Sequence, residues 1–142
     1  PLYSSAASDV YKRQVPVSAD PDAIVSALIN LLDNAVRYTP PDAPTERRRI
    51  EVRVERGRGL ARLAVVDRGI GIPPADRHRV LERYCRLRTS LHSRVRGAGL
   101  GLAIVRHVAA AHGGSVEIGD PEDGASGTRI VLSLPLEEAT NG

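Results

Sequence analysis

Two asparagines and an arginine on one predicted helix are the first residues of this sequence that could do chemistry. Asn30 and Asn34 lie four positions apart among apolar residues with helical spacing, so both side chains project from one face. They could be amides satisfied in the core or at a cap, because buried amides need partners. They could equally be neutral oxygen ligands facing Mg²⁺ and phosphates, since Mg²⁺ prefers hard oxygen donors. Arg37, on the same face, could reach a phosphate oxygen.

A carboxylate and two glycines form a second candidate cluster. Asp67 ends a predicted strand and leads into Gly69-Ile70-Gly71. Asp67 could simply terminate the strand in an ordinary turn. Alternatively, its carboxylate could accept a hydrogen bond from an exocyclic amine, while the glycines let a flat ring lie against the backbone.

Alternating glycines precede a second predicted helix. Gly97, Gly99 and Gly101 open onto an apolar run that ends at Gly113-Gly114. The first N–H groups of a helix are unpaired and carry the positive end of its dipole. A glycine turn that leads into a helix can therefore bind phosphate, although such a motif also occurs in plain tight turns.

The composition is that of one ordinary domain. The chain has 142 residues, 42% hydrophobic and 26% charged, which suffices for a single core. One cysteine excludes an internal disulfide and a multi-cysteine metal site. Lys12 is the only lysine among 20 basic residues, and aromatic residues make up 3%. The absence of a stacking platform argues against nucleic-acid binding, and no apolar run reaches membrane-spanning length.

The elements that must position these residues follow from hydrophobic periodicity and turn signals. They predict an α+β fold, a two-layer sandwich in which a mixed, mostly antiparallel sheet of about five strands is covered on one face by three helices. Asp20-Pro21 predicts a helix start, with an N-cap followed by proline at the first helical position. The predicted strands span 15–19, 50–55, 60–66, 115–118 and 128–134, and the predicted helices span 20–38, 75–86 and 98–112.

Four of these segments, in this order, resemble the nucleotide-binding boxes of sensor histidine kinases. Residues 31–38 (LLDNAVRY) resemble the N box, 67–73 (DRGIGIP) the G1 box and 97–102 (GAGLGL) the G2 box. Gly127-Thr128 resembles the turn before the last strand of the family. On these motifs the chain is similar, from about Val15 to Leu136, to the GHKL group of gyrase, heat-shock chaperone, histidine kinase and MutL proteins.

The resemblance implies a role for each matching residue in binding ATP and Mg²⁺. Asn34 would coordinate the Mg²⁺ that bridges the phosphates, with Asn30 assisting, and Arg37 would lie near the phosphates. Asp67 would recognise the adenine amino group. The remaining nucleotide-contacting residues would be Tyr38, Gly69 and Gly71, the G2-box residues Gly97, Gly99, Leu100 and Gly101, and Thr128.

Two departures from relatives of this group bear on the reaction. Hydrolysing branches carry Glu where this chain has Asn30. An amide cannot take a proton from water, so the resemblance favours phosphoryl transfer over hydrolysis, with catalysis by positioning and charge neutralisation. The F box lacks phenylalanine, since the chain has none; Leu81 and Tyr84 could fill its apolar roles, and Arg86 would reach the γ-phosphate. Residues 87–96 would form the ATP lid.

The phospho-accepting histidine of the family has no match here. His78, His92, His107 and His112 are each followed by a residue that does not fit an H box, so all four are predicted to be structural or surface residues. We therefore expect residues 15–142 to be the catalytic ATP-binding domain of a two-component sensor histidine kinase. Residues 1–14 are expected to be a non-native or linker segment.

The expected partners are a dimerisation domain that carries the histidine and a response regulator. We expect a cytoplasmic domain of a membrane-anchored receptor, with no membrane span in this segment and no nucleic-acid partner. The alternatives are a serine kinase of the anti-sigma-factor type and a nucleotide-binding module without kinase activity.

Overall fold

The computed structural model describes residues 14–82 and 101–137. Several predicted features lie outside the described residues. They are the segment 1–13, the candidate residues Arg86, Gly97, Gly99 and Leu100, and the lid at 87–96.

The first helix, α1, spans Pro21–Arg37 and confirms the predicted start. The Asp20 side chain accepts a hydrogen bond from the Asp22 N–H at 3.0 Å, as an N-cap does. Its buried face consists of Ala27, Leu31 and Ala35. The helix therefore presents a small-residue face that lets it pack closely on the sheet and on the second helix.

Four antiparallel strands form the sheet, in the order β1-β2-β4-β3. They are β1 (Glu51–Gly57), β2 (Leu60–Asp67), β3 (Ser115–Gly119) and β4 (Thr128–Pro135). β1 and β2 are joined through Arg58 (φ 54°) and Gly59 (φ 76°). Two successive positive φ angles match the tight turn whose twist suits a hairpin. β2 and β4 lie in the middle of the sheet and are the more buried strands.

Residues 15–19 do not form the predicted fifth strand. This segment is irregular, and the backbone bond recorded for it runs from the Glu137 N–H to the Pro16 carbonyl, at 2.9 Å. Proline has no N–H to donate, so Pro16 cannot extend that bond into a ladder. The described part of the sheet thus has four strands, and the α+β sandwich itself is confirmed.

The second helix, α2, spans Gly101–Ala111 and packs against α1 on the same face of the sheet. It ends as a Schellman motif, with Gly113 at φ 72°. The Gly114 N–H donates to the Ala109 carbonyl at 2.8 Å, and the Gly113 N–H donates to the Ala110 carbonyl at 3.2 Å. A residue without Cβ takes this left-handed position at low cost, which explains why the apolar run stops there.

The prediction of a continuous helix from 75 to 86 is wrong for its described part. Two short 3₁₀ turns, Pro74–Asp76 and Arg79–Leu81, occupy it instead. The Arg77 side chain donates to the Ile72 carbonyl at 3.0 Å and to Asp120 Oδ1 at 2.7 Å. Tertiary contacts of this kind, together with burial of Val80, hold the segment in a compact irregular path.

One hydrophobic core lies between the two helices and the sheet. The segment after β2 contributes Ile72 and Val80 to this core, so their burial holds the loop against the rest of the domain. The other buried members come from α1 (Ala27, Leu31, Ala35), α2 (Leu102, Val105, Val108, Ala109) and the central strands (Val65, Ile130, Leu132, Leu134). This packing fixes the ends of α1, β2 and α2 relative to one another.

Candidate functional site

Asn34 carries a buried polar group with no partner. Its Nδ2 atom makes no hydrogen bond, and it is the one buried side-chain nitrogen or oxygen so identified within residues 14–82 and 101–137. Leaving a buried donor unpaired costs about 1–3 kcal/mol. An unpaired buried donor on this helix is therefore a candidate contact for a bound ligand.

Asn30 lies one turn earlier and faces the start of α2. Its Nδ2 donates to the Ser26 carbonyl at 2.8 Å. Its Oδ1 lies 3.3 Å from the position that a Cβ on Gly101 would occupy. The fold therefore brings the N-box helix and the last G2-box glycine together, as the sequence motifs predicted only separately.

Arg37 and Tyr38 end the same helix, with different outcomes. Arg37 forms an ion pair with Asp33 at 3.0 Å, and its side chain is 42% exposed. The predicted contact of Arg37 with phosphate thus remains a prediction, since the side chain pairs within its own helix. Tyr38 is half-buried, and its carbonyl accepts a hydrogen bond from the Ile70 N–H at 3.2 Å. Tyr38 therefore joins α1 to the G1-box turn.

Asp67 is a buried carboxylate at the end of β2, only 2% exposed. Burial raises the pKa of the Asp67 carboxyl, and hydrogen bonds from the Gly69 and Thr128 backbone N–H groups partly oppose that rise. The Gly69 N–H donates to Asp67 Oδ1 at 2.9 Å. Thr128 is opposite Asp67 in the β2–β4 register and is equally buried. The two residues predicted to lie near one ring are thus neighbours.

The glycines around Asp67 are required by close backbone contacts. A Cβ on Gly69 would overlap the Tyr38 carbonyl oxygen, and one on Gly127 would overlap the Asp67 carbonyl oxygen. Gly71 has φ 78°, and a Cβ there would lie 3.2 Å from the Gly127 carbonyl oxygen. Side chains at these positions would force the turn away from Asp67, so the glycines let the backbone pack closely around the carboxylate.

Two residues that hold this turn, Arg47 and Ser126, could not be identified from the sequence. Arg47 Nε donates to the Arg68 carbonyl at 3.2 Å, and Arg47 Nη2 approaches the Gly69 carbonyl at 3.4 Å. Ser126 Oγ donates to the Gly69 carbonyl at 2.9 Å. Both residues lie in loops predicted only as polar connections, and no periodicity or motif marks them. Only the tertiary approach of three separate loops could reveal the contact.

An acidic loop between β3 and β4 flanks the same turn. Arg68 pairs with Asp123 at 2.7 Å, and this contact holds the pKa of the Asp123 carboxyl below its usual value. Arg77 pairs with Asp120, also at 2.7 Å. These exposed pairs contribute little free energy individually. They join the positive side chains of Arg68 and Arg77 to the loop between β3 and β4.

Asn30 and Asn34 could supply part of the coordination of a Mg²⁺ ion whose other ligands come from a bound nucleotide and water. The described residues contain no group of three or more His, Cys, Asp or Glu side chains that could hold a metal ion. The amides of Asn30 and Asn34 can offer neutral oxygens, which suit Mg²⁺ when phosphates and water supply the remaining ligands. The unpartnered Asn34 Nδ2 is a donor that a phosphate oxygen of a bound nucleotide could satisfy, which would leave the amide oxygen for the ion.

Comparison with known proteins places the chain in a family. The model of the "Histidine kinase-, DNA gyrase B-, and HSP90-like ATPase" family matches residues 19–138. The chain belongs to this ATPase family. The ATPase-family match covers every described element, and it confirms the resemblance inferred from the four boxes.

Curated relatives of this ATPase-family chain are sensor kinases. It is 40% identical over 121 residues to the sensor-like histidine kinase SenX3 of Mycolicibacterium smegmatis, a match that covers 84% of this chain and 29% of that protein. It is 33% identical over 126 residues to the sensor histidine kinase WalK of Bacillus subtilis, covering 89% of this chain and 20% of WalK. The chain therefore spans less than a third of the length of these relatives.

Solved structures give the same result. The mycobacterial sensor histidine kinase MprB superposes with a TM-score of 0.67 at 38% identity, covering 87% of this chain and 76% of that one. Full-length ShkA in complex with AMPPNP superposes with a TM-score of 0.68 at 29% identity, covering 89% and 24%. In the part of this ATPase-family chain that the structure describes, no helix has the length and apolar character needed to cross a membrane.

Proposed function

We propose that this domain binds Mg·ATP and supplies the γ-phosphate to a histidine on a dimerisation domain of a two-component sensor histidine kinase. A response regulator would then receive the phosphate. The observation that carries the proposal is the buried, unpartnered amide of Asn34, on the helix that packs against the start of α2. An unpaired donor there is explained if a phosphate oxygen or its metal shell satisfies the side chain when nucleotide binds.

Each residue would contact the part of Mg·ATP that suits its chemistry. Asn34 and Asn30 would hold Mg²⁺ through their amide oxygens, and the ion would neutralise charge on the phosphates. Asp67 would accept a hydrogen bond from the adenine amine beside Thr128, and Gly69 and Gly71 would let the ring approach the backbone. The first turn of α2, at Gly101, would face the phosphates with unpaired N–H groups.

Further residues would contact the phosphates or the base of the bound nucleotide. Arg37 would exchange its exposed pair with Asp33 for a phosphate oxygen, at little cost because exposed pairs are weak. Tyr38 would pack beside the nucleotide. The residues Arg86, Gly97, Gly99 and Leu100 would complete the phosphate side of the site, as the resemblance implies.

Transfer rather than hydrolysis is supported by the setting of Asn30. Its Nδ2 is committed to the Ser26 carbonyl, and its Oδ1 points to the start of α2. An amide in this position has no basic atom with which to activate water. The site would therefore position the γ-phosphate for a nucleophile brought by another domain, which agrees with a cytoplasmic module within a membrane-anchored receptor.

Phosphotransfer from labelled ATP tests the proposal. The chain is mixed with Mg·ATP labelled at the γ-phosphate, either alone or with a separately produced histidine-containing dimerisation domain from a related kinase. We expect a label stable to base and labile to acid on the dimerisation domain, and none on the chain alone. The Asn34→Ala variant serves as the negative control. Labelling of a serine on a partner, or ATP binding without any transfer to several dimerisation domains, would contradict the histidine kinase assignment.

A further inference from the structure

The outer side of the G1-box turn is held by a residue from a distant loop. Arg47 lies in a 3₁₀ turn, Thr45–Arg48, between α1 and β1. Its guanidinium reaches two successive carbonyls, those of Arg68 at 3.2 Å and Gly69 at 3.4 Å. A planar guanidinium with several N–H donors can contact both carbonyls from one position. The loop after α1 is thus fastened across the turn that follows Asp67.

A serine completes this attachment. Arg47 Nη2 also lies 3.4 Å from Ser126 Oγ, and that hydroxyl donates to the Gly69 carbonyl at 2.9 Å. The Gly69 carbonyl therefore receives two donors from two different loops. The Gly69 N–H belongs to the preceding peptide, the one that contains the Arg68 carbonyl, and it donates to Asp67 Oδ1 at 2.9 Å.

The position of Gly69 controls the position of the Asp67 carboxylate. Arg47 Nε holds the carbonyl of the Arg68–Gly69 peptide, and the N–H of the same peptide donates to Asp67 Oδ1. The orientation of this peptide plane therefore determines where the second Asp67 oxygen can point. The next residue, Ile70, is tied through its N–H to the Tyr38 carbonyl at 3.2 Å. The Arg68–Gly69 peptide is thus held by Arg47 and Asp67. The Gly69–Ile70 peptide is held by Arg47, Ser126 and Tyr38.

We propose that Arg47, supported by Ser126, is a positioning residue for recognition of the adenine base. It acts on the base through the two peptides that flank Gly69 and through Asp67, and does not touch the nucleotide. The inference rests on the proposed Mg·ATP site and adds to it a determinant of base specificity outside the four boxes. Arg47 contacts the turn through hydrogen bonds to two carbonyls, so the expected effect is one of geometry, which the Arg47→Lys variant tests.

Binding of three probes by calorimetry separates base recognition from phosphate binding. The probes are Mg·ADP, Mg·GDP and inorganic tripolyphosphate with Mg²⁺, measured with the whole chain. For Arg47→Ala we expect affinity for Mg·ADP to fall about three- to tenfold, the range given by losing one or two hydrogen bonds. Affinities for Mg·GDP and tripolyphosphate should be unchanged, so the ratio of Mg·ADP affinity to Mg·GDP affinity should decrease.

Three further variants distinguish geometry from charge. Arg47→Lys keeps the cation but loses the planar fork, and it should behave like Arg47→Ala. Ser126→Ala should lower Mg·ADP affinity in the same direction. The matched control is Arg49→Ala, which removes an exposed arginine of the same loop with no hydrogen bond to the turn within the described residues. Arg49→Ala should bind all three probes as the wild-type chain does.

Amide hydrogen exchange gives a readout that does not depend on nucleotide. In Arg47→Ala the Gly69 and Ile70 amides should exchange faster, while amides in the middle of β2 keep wild-type rates. Equal Mg·ADP affinity and equal exchange at Gly69 in wild type and Arg47→Ala would overturn the inference. So would full rescue by Arg47→Lys, or an equal loss for all three probes. A wild-type chain that binds none of the probes would instead overturn the proposed function.

Discussion

The Oδ1 atom of Asn30 lies 3.3 Å from the place where a Cβ on Gly101 would stand. This distance is shorter than ordinary van der Waals contact for such a pair, so the absence of a side chain at Gly101 is what lets α1 and the start of α2 approach. The two residues are separated by 71 positions in the chain, and each belongs to a different motif. The N-box helix and the G2 box therefore lie next to each other in the folded chain and can contribute to one site.

Replacing Gly101 should therefore separate nucleotide affinity from stability. Alanine favours a helix over glycine by about 1 kcal/mol, so Gly101→Ala should keep or raise the melting temperature. The added methyl group should displace Asn30 and lower Mg·ATP affinity about tenfold, equivalent to 1.4 kcal/mol. Calorimetry and thermal unfolding measure the two effects. Gly119→Ala is the control, since a Cβ there meets nothing within 4 Å. Unchanged Mg·ATP affinity in Gly101→Ala would contradict the predicted role of this contact.

Asn34→Ala should abolish measurable Mg·ATP binding without destabilising the domain. The substitution removes the amide oxygen proposed for Mg²⁺ and also removes the unpaired buried Nδ2. Deleting an unsatisfied group offsets the packing loss, so the free energy of unfolding should change by less than about 1 kcal/mol. Asp33→Ala, on the same helix, should bind Mg·ATP as well as or better than wild type, because it releases Arg37. Wild-type binding by Asn34→Ala would refute the metal assignment.

Asp67→Asn should weaken adenine preference while stabilising the nucleotide-free domain. Calorimetry with ATP and GTP should show the two affinities converging, because the amide cannot replace a carboxylate acceptor fully. Burial raises the pKa of Asp67, so the charged carboxylate is disfavoured in the folded domain relative to the unfolded chain. The asparagine variant should then have the higher melting temperature without nucleotide.

The difference in stability between the wild-type domain and Asp67→Asn should depend on pH. The folded Asp67 pKa lies above the unfolded value near 3.8, so the folded state binds more protons between the two pKa values. The stability of the wild-type domain relative to Asp67→Asn is therefore greatest at low pH and decreases as pH rises through that window. Asp123→Asn is the control, because the pKa of Asp123 is lowered by Arg68 and its pH dependence has the opposite sign. A melting temperature of Asp67→Asn below wild type at neutral pH would contradict this account.

His112 should have a structural role rather than accept phosphate. Its Nδ1 lies 2.7 Å from the Val108 carbonyl, and its Nε2 accepts the Asp20 N–H at 3.1 Å. The ring thus ties the end of α2 to the cap of α1. His112→Ala should lower the free energy of unfolding by about 1 kcal/mol and leave Mg·ATP affinity unchanged. His107→Ala, an exposed position on the same helix, should change neither quantity. Equal stability of the two variants would refute the tie.

The sequence by itself determined the elements and the chemistry of the boxes. Asp20-Pro21 set the start of α1 through local capping, and Gly113 set the end of α2 through its positive φ. Alternating hydrophobicity at 50–55, together with short apolar runs bounded by turn signals elsewhere, predicted β1, β2, β3 and β4 to within two residues of their bounds. These features depend on neighbours in the chain, which is why periodicity and turn chemistry could predict them. The segment 75–82 was predicted wrongly because contacts of Arg77 and Val80 with distant residues override its helical pattern.

Only the tertiary structure decided how the boxes meet. It shows that Asn34 has an unpaired buried amide, that Asn30 faces Gly101, and that Arg37 pairs with Asp33. It also brings Arg47 to the Gly69 carbonyl across 22 positions and Ser126 across 57. Burial, pairing and approach of this kind depend on how the helices and sheet pack around one core. No local pattern records them, because the partners are set by three-dimensional neighbours rather than by spacing along the chain.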